Sequence, residues 1–248
     1  MKEGLITNEK QKAAYPHVAA ERSVLFYLAG AGVPSVTIRF TFQNGAQADS
    51  AADWHRELTA RRLRDIKLLA PTVTGDRGLL AFSGGAPFLI ACFYRDKAAA
   101  GWRAGWEFDQ SARGWNIEWN EAPFKDAPAA PPRFQEYRED FSAVLAQISE
   151  LAVRIGENQF AAQFDSARRY LTDQHITLPD WMHIRLPEKN KALFAAASRA
   201  WVFGGMGSWN DSPPYLAHEQ GLDGDYERLS AALYRQIMLA VLYAVNEW

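Results

Sequence analysis

FLIACFYRDKAAAGWRAGWEFDQSARGWNIEW, residues 88–119, is the stretch that decides the fold class. It consists of short runs, FLIACFYR, GWRAGWEF and GWNIEW, rich in aromatic and branched residues and parted by turn-forming segments with glycine. Such runs suit a pleated surface better than a helix. The last two alternate: Trp106 and Phe108 share one face of a strand, Trp115, Ile117 and Trp119 share one face of its partner, and Glu107, Asp109, Asn116 and Glu118 lie on the reverse.

Upstream, GLLAF (78–82) reads as another strand, and VTIRFTF (36–42) sets Val36, Ile38, Phe40 and Phe42 against Thr37, Arg39 and Thr41 before an Asn44-Gly45 turn. Two helices are predicted among these strands. One covers residues 17–29 after Pro16 and ends at Gly30 or Gly32; the other is capped by Asp49 or Ser50 and runs to about Lys67, with Trp54, Leu58, Leu63 and Ile66 on its apolar side. The expectation is an α+β protein, in which an antiparallel sheet of about five strands carries helices on one face.

Downstream comes PFKDAPAAPP (123–132), with four prolines in ten residues, a composition unfit for a helix interior or a central strand. Residues 1–122 therefore read as the sheet region, 123–132 as a linker or crossover, and 133–248 as a helical half that serves as a layer of the same domain. Its predicted helices run from Phe134 to about Gly156, from Glu157 to about Thr172, from Lys189 to about Phe203, and from Asp223 to about Glu247. Leu229, Leu233, Ile237, Val241 and Ala244 stripe the last, and Met238 and Leu242 widen the stripe.

Composition narrows the function. The 27 basic and 29 acidic residues leave a net charge of −2, which gives the chain no general attraction for a polyanion. The densest basic group, Arg56, Arg61, Arg62, Arg64 and Lys67, is interleaved with Asp53, Glu57 and Asp65 as on a solvated helix face. Nucleic acid is not expected as a partner. No membrane partner is expected either, because no apolar run reaches spanning length and the N-terminus lacks the apolar core of a secretory signal. The single cysteine, Cys92, allows no intrachain disulfide and reads as a buried thiol of a soluble cytoplasmic protein.

The densest candidate site is WVFGGMGSWNDSPP, Trp201–Pro214. Gly205 and Gly207 match the first two glycines of a dinucleotide fingerprint, but Asn210 occupies the third place and the preceding KALFAAASRA is helical. The simpler reading is a helix C-cap at Gly204 or Gly205, an Asx turn at Asn210 or Asp211, and Pro213-Pro214 stopping further helix. Whether Trp201–Phe203 continues the helix or begins a strand stays open.

Other motifs fail on context. AFSGG (81–85) has the outline of a nucleophile elbow around Ser83, yet a strand rather than a helix follows it. His175, His183 and the adjacent His218-Glu219 lack metal-binding spacing. In DGDYE, Asp223, Asp225 and Glu227 resemble the start of a calcium loop, but Arg228 replaces its glycine and Tyr234 its last carboxylate. No metal or cofactor is expected. The Trp106/Trp115/Trp119 face is either core or an open stacking platform.

From WVFGGMGSWND into the tyrosine-containing terminal helix YERLSAALYRQIMLAVLYAVNEW, the chain resembles the C-terminal segment of uncharacterised bacterial proteins. The resemblance covers roughly the last fifty residues, implies a bacterial source and carries no role with it.

The expected function is non-catalytic: a cytoplasmic protein that binds another protein through an aromatic and acidic surface, in its sharpest form a toxin-neutralising immunity-type protein. The binding residues expected are Trp209, Asn210, Asp211, Gly205 and Gly207. The alternative is an enzyme acting on a small polar or phosphorylated molecule through the Gly204–Glu219 loop, with Asp211 or Glu219 as base and His218 as its acid or base partner. A third reading closes the Trp face on an identical copy. The enzyme requires Asp211, His218 and the Gly204–Gly207 amides to converge in a pocket; the binding protein does not.

Overall fold

The computed structural model describes residues 35–74, 88–96, 98–173 and 186–247. The helix expected at 17–29, the strand at 78–82, Ser83, His175 and His183 lie outside the described residues. The chain divides into two compact units, one holding the described residues up to Leu69 and from 88 to Arg133, the other the remainder.

The first unit is a six-stranded mixed sheet. Its strands are β1 (Ser35–Thr41), β2 (Gln47–Ala48), β3 (Leu63–Leu69), β4 (Leu89–Tyr94), β5 (Ala99–Asp109) and β6 (Gly114–Pro123), in the spatial order β2-β1-β6-β5-β4-β3. All neighbours are antiparallel except β1 and β6, which run parallel with Phe40 opposite Trp119. The α+β class is as expected, while the parallel pair departs from an all-antiparallel sheet. Asn44-Gly45 makes its turn with Gly45 at φ +83°, and Phe42 N donates to Ala46 O at 2.8 Å.

Helix α1 (Ala51–Ala60) starts where the sequence indicates, with Ser50 Oγ accepting from Asp53 N at 3.1 Å. It does not reach Lys67. Arg62 takes φ +62°, outside the helical region, and the chain reverses so that Leu63–Leu69 becomes β3, paired along β4. LRDIKLL fits either period, and the ladder offered by β4 decides. This splits the basic group expected on one helix face: Arg56 pairs with Asp53, Arg61 reaches β6, and Lys67 is buried on β3.

The register places Phe40, Phe42, Trp102, Ile117, Trp119, Ile90 and Cys92 on one face, all buried, with Trp54 and Leu58 of α1 packed among them. Phe40 stacks on Trp54 at 4.5 Å between centroids, and Trp54 meets Trp102 edge to face at 5.3 Å. At this end the aromatic face is core. Towards the β5–β6 turn Phe108 is 46% exposed. The reverse face is polar, with Thr37 Oγ1 donating to Asn116 Oδ1 at 2.6 Å and Thr41 Oγ1 to Glu118 Oε1 at 2.8 Å. Asp109 closes the β5–β6 turn by accepting from Ser111 N, Ser111 Oγ and Ala112 N, bonds that hold its carboxyl below the usual range.

The second unit is helical: α2 (Arg138–Arg154), α3 (Asn158–Thr172), α4 (Glu188–Arg199), α5 (Pro213–Glu219) and α6 (Asp223–Asn246). The expected start of α2 at Phe134 moves to Arg138. Gly156, at φ +84°, lets α2 turn directly into α3. The expected end of α4 at Phe203 moves back to Arg199. Trp201–Phe203 are neither helix nor strand but a buried irregular segment, on which Trp209 N donates to Val202 O at 3.0 Å.

The α6 stripe is buried as expected, Met238 and Leu242 included. Among the described residues α6 alone is long and apolar enough to cross a membrane, but 67% of its apolar window is buried within the protein, as in the core helix of a soluble one. Its C-terminal carbonyls are capped by wholly buried Asn190, whose Nδ2 donates to Ala244 O and Glu247 O at 3.0 Å each.

Candidate functional site

The loop between α4 and α5 is built around one side chain. Trp209 is 0% exposed, packed edge to face on Phe160 and Phe164 of α3 at 5.3 Å and stacked on Tyr226 of α6 at 5.6 Å. Its Nε1 donates to Ser230 Oγ at 2.8 Å, and its carbonyl accepts from the Tyr226 hydroxyl at 2.8 Å. The expectation of Trp209 as a contact residue is therefore corrected: its apolar area is spent inside the unit, where it pins the loop to two helices.

From that anchor the backbone folds on itself. Ser208 Oγ donates to Gly204 O at 2.8 Å, Ser208 N to Gly205 O at 3.1 Å, and Asn210 N to Ser208 Oγ at 3.2 Å. Asn210 Nδ2 reaches Gly204 O at 3.4 Å, so Asn210, half-buried, braces the loop from within. Gly207 holds φ +78°, a left-handed conformation that a side chain would strain. Its amide donates to Asp211 Oδ2 at 2.7 Å.

That bond bears on the phosphate-loop reading. An anion site needs free amides and no competing negative charge, and here a carboxylate of the loop itself occupies the Gly207 amide. Each group assigned to the enzyme has a different hydrogen-bond partner. His218 Nδ1 pairs with Asp223 at 2.8 Å, Glu219 accepts from the Tyr215 hydroxyl at 2.6 Å, and Asp211 serves Gly207. The His218 bond lowers the Asp223 pKa, and the Glu219 bond raises that of Tyr215, both on exposed side chains. Asp225 lies between Arg228 at 2.9 Å and Arg154 at 3.8 Å, and no group of three or more metal-binding side chains forms among the described residues.

Pro213-Pro214 does not stop a helix; it starts one. Pro213 sits in the first turn of α5, where a missing amide costs nothing and a fixed φ is helical. The result presents Met206, 98% exposed, at the loop tip and Tyr215, 62% exposed, on α5.

One cluster escaped the reading of the sequence. Glu121 continues the Trp115-Ile117-Trp119 face of β6 and lies opposite Trp102. Its side chain, 5% exposed, takes Arg61 Nη1 at 3.0 Å on both oxygens and the Gln43 amide at 3.1 Å. Arg61 in turn covers the Phe42 ring at 4.5 Å. Burial raises the pKa of Tyr94 and that of Cys92 nearby, with the Glu121 charge adding to both. A carboxylate at the end of an apolar alternation was the available signal.

No protein-family model, curated protein or solved structure matches the chain.

Proposed function

We propose that the chain is a non-catalytic, soluble cytoplasmic binding protein that engages another protein through the Gly204–Ser212 loop and α5. The observation that carries this reading is Met206, an apolar side chain 98% exposed at the tip of a loop whose anchor, Trp209, is 0% exposed. The fold draws no packing from Met206. A partner that covered it would bury apolar area at little ordering cost, because the loop is already held by its own hydrogen bonds and by Trp209. Tyr215, with an apolar ring and a hydroxyl held by Glu219, is a residue type that concentrates binding energy at interfaces. Of the binding residues expected from the sequence, Asp211 stays on the exposed rim, while Gly205, Gly207 and Asn210 supply the loop's shape.

The test is affinity capture from the native lysate with wild type and a Met206→Ser, Tyr215→Ala double variant, with far-ultraviolet circular dichroism to verify that both are folded. The expected result is a protein retained by wild type and lost by the variant. Equal capture by both, or a copurifying small molecule in place of a protein, would overturn the reading. If the captured partner is toxic when expressed alone and harmless when co-expressed with this chain, the binding is toxin neutralisation.

A further inference from the structure

We propose that Met206 is a reversible oxidation site, and that conversion of its thioether to the sulfoxide by a peroxide switches off binding at the loop tip. This rests on the binding reading above and adds its regulation. Met206 occupies a corner of the four-residue turn that Ser208 N closes on Gly205 O at 3.1 Å, followed by Gly207 at φ +78°, the positive value such a turn needs at its third residue. At that corner its side chain is 98% exposed, and the glycines on either side bring no side chain to shield the sulfur. The other methionine among the described residues, Met238, is 0% exposed in α6. Susceptibility follows access, so the two thioethers should differ sharply in rate.

In the forward step the sulfur attacks one oxygen of hydrogen peroxide. An S–O bond forms, the O–O bond breaks, and an electron pair passes from sulfur to the peroxide, whose other oxygen leaves as water. A thiol-dependent methionine sulfoxide reductase reverses this, taking the oxygen off as water while a pair of thiols becomes a disulfide. The fold tolerates both steps, because the bonds that shape the loop use other groups: Gly207 N to Asp211, Ser208 Oγ to Gly204 O, and Trp209 Nε1 to Ser230. What changes is the tip itself. A flexible apolar group becomes a polar one, and a partner that covered it would have to strip water from a strong acceptor.

The full chain is treated with hydrogen peroxide, desalted and mapped by peptide mass spectrometry, with circular dichroism on the same sample. Lysate capture is then run with reduced, oxidised and reductase-treated wild type, and with Met206→Leu, which keeps an apolar tip without sulfur. One added oxygen is expected at Met206 while Met238 stays a thioether, with an unchanged spectrum and removal of the oxygen by the reductase. Capture should be lost on oxidation, regained on reduction, and indifferent to peroxide in Met206→Leu. Equal oxidation of Met238, a sulfoxide that the reductase leaves in place, equal capture by the oxidised and reduced forms, or loss of capture in peroxide-treated Met206→Leu would overturn this inference and leave the binding surface standing. Capture of no protein by reduced wild type would overturn both.

Discussion

Tryptophan is used in opposite ways in the two units. In the sheet unit Trp54, Trp102 and Trp119 are wholly buried, and the indole nitrogens of Trp54 and Trp119 have no hydrogen-bond partner among the described residues. In the helical unit Trp209 is equally buried, but its indole donates to Ser230 and its carbonyl accepts from Tyr226. The sheet tryptophans fill space between α1 and the strands, a task that area and shape suffice for. Trp209 fixes position as well. A directional bond at each end sets where the 204–212 loop lies, and that loop displays Met206.

The difference is sharpest under truncation. Trp209→Ala should cost about 3–5 kcal/mol of unfolding free energy, as for other large aromatic deletions, and Trp54→Ala a similar amount. Hydrogen exchange should separate them: Trp209→Ala is expected to expose the Gly207, Ser208 and Asp211 amides, whereas Trp54→Ala leaves them protected. Equal protection in both variants would mean that Trp209 is no more than filler.

The sheet unit has one polar fastener of its own. Glu121→Ala removes the acceptor for Arg61 and for the Gln43 amide, with an expected loss of about 1.5–3 kcal/mol, the range for hydrogen bonds to charged groups. Denaturant unfolding should show it as a lower midpoint with an unchanged slope. Ser230→Ala is a milder test, since it makes Trp209 resemble the sheet tryptophans. A loss of about 1–2 kcal/mol is expected for the orphaned indole N–H. A change near zero would show that packing alone holds the loop.

The smallest effect lies at the exposed His218–Asp223 pair. Its bond depresses the folded-state pKa of Asp223, so the linked stabilisation is present above the unfolded value and is lost as pH falls through the folded one. In His218→Ala, the Asp223 titration followed by NMR should rise toward that of an ordinary aspartate, with no resolved change in melting temperature. An unmoved titration would show that the bond is not kept in solution.

Much of this was readable along the chain. The β5–β6 alternation, the Asn44-Gly45 turn, the Ser50 cap and the stripe of α6 are local signals, and each appears where the residues indicate. The failures share a cause. LRDIKLL satisfies two periodicities, and only the free edge of β4 selects the strand. Pro213 serves equally to end a helix or begin one, and here, after the turn that Asp211 N closes on Ser208 O, it begins one. Trp209 and Glu121 looked exposed or incidental because their partners, Ser230 and Arg61, lie 21 and 60 residues away.

The sequence by itself determined the β5–β6 alternation, the Asn44-Gly45 turn, the Ser50 cap and the α6 stripe, since these depend on neighbours a few residues apart. Tertiary structure alone decided which tryptophans anchor and which merely fill, which amide of the glycine loop Asp211 occupies, and that Met206 is left in water. Those outcomes depend on competition for hydrogen-bond partners and buried space between residues brought together only by the finished fold.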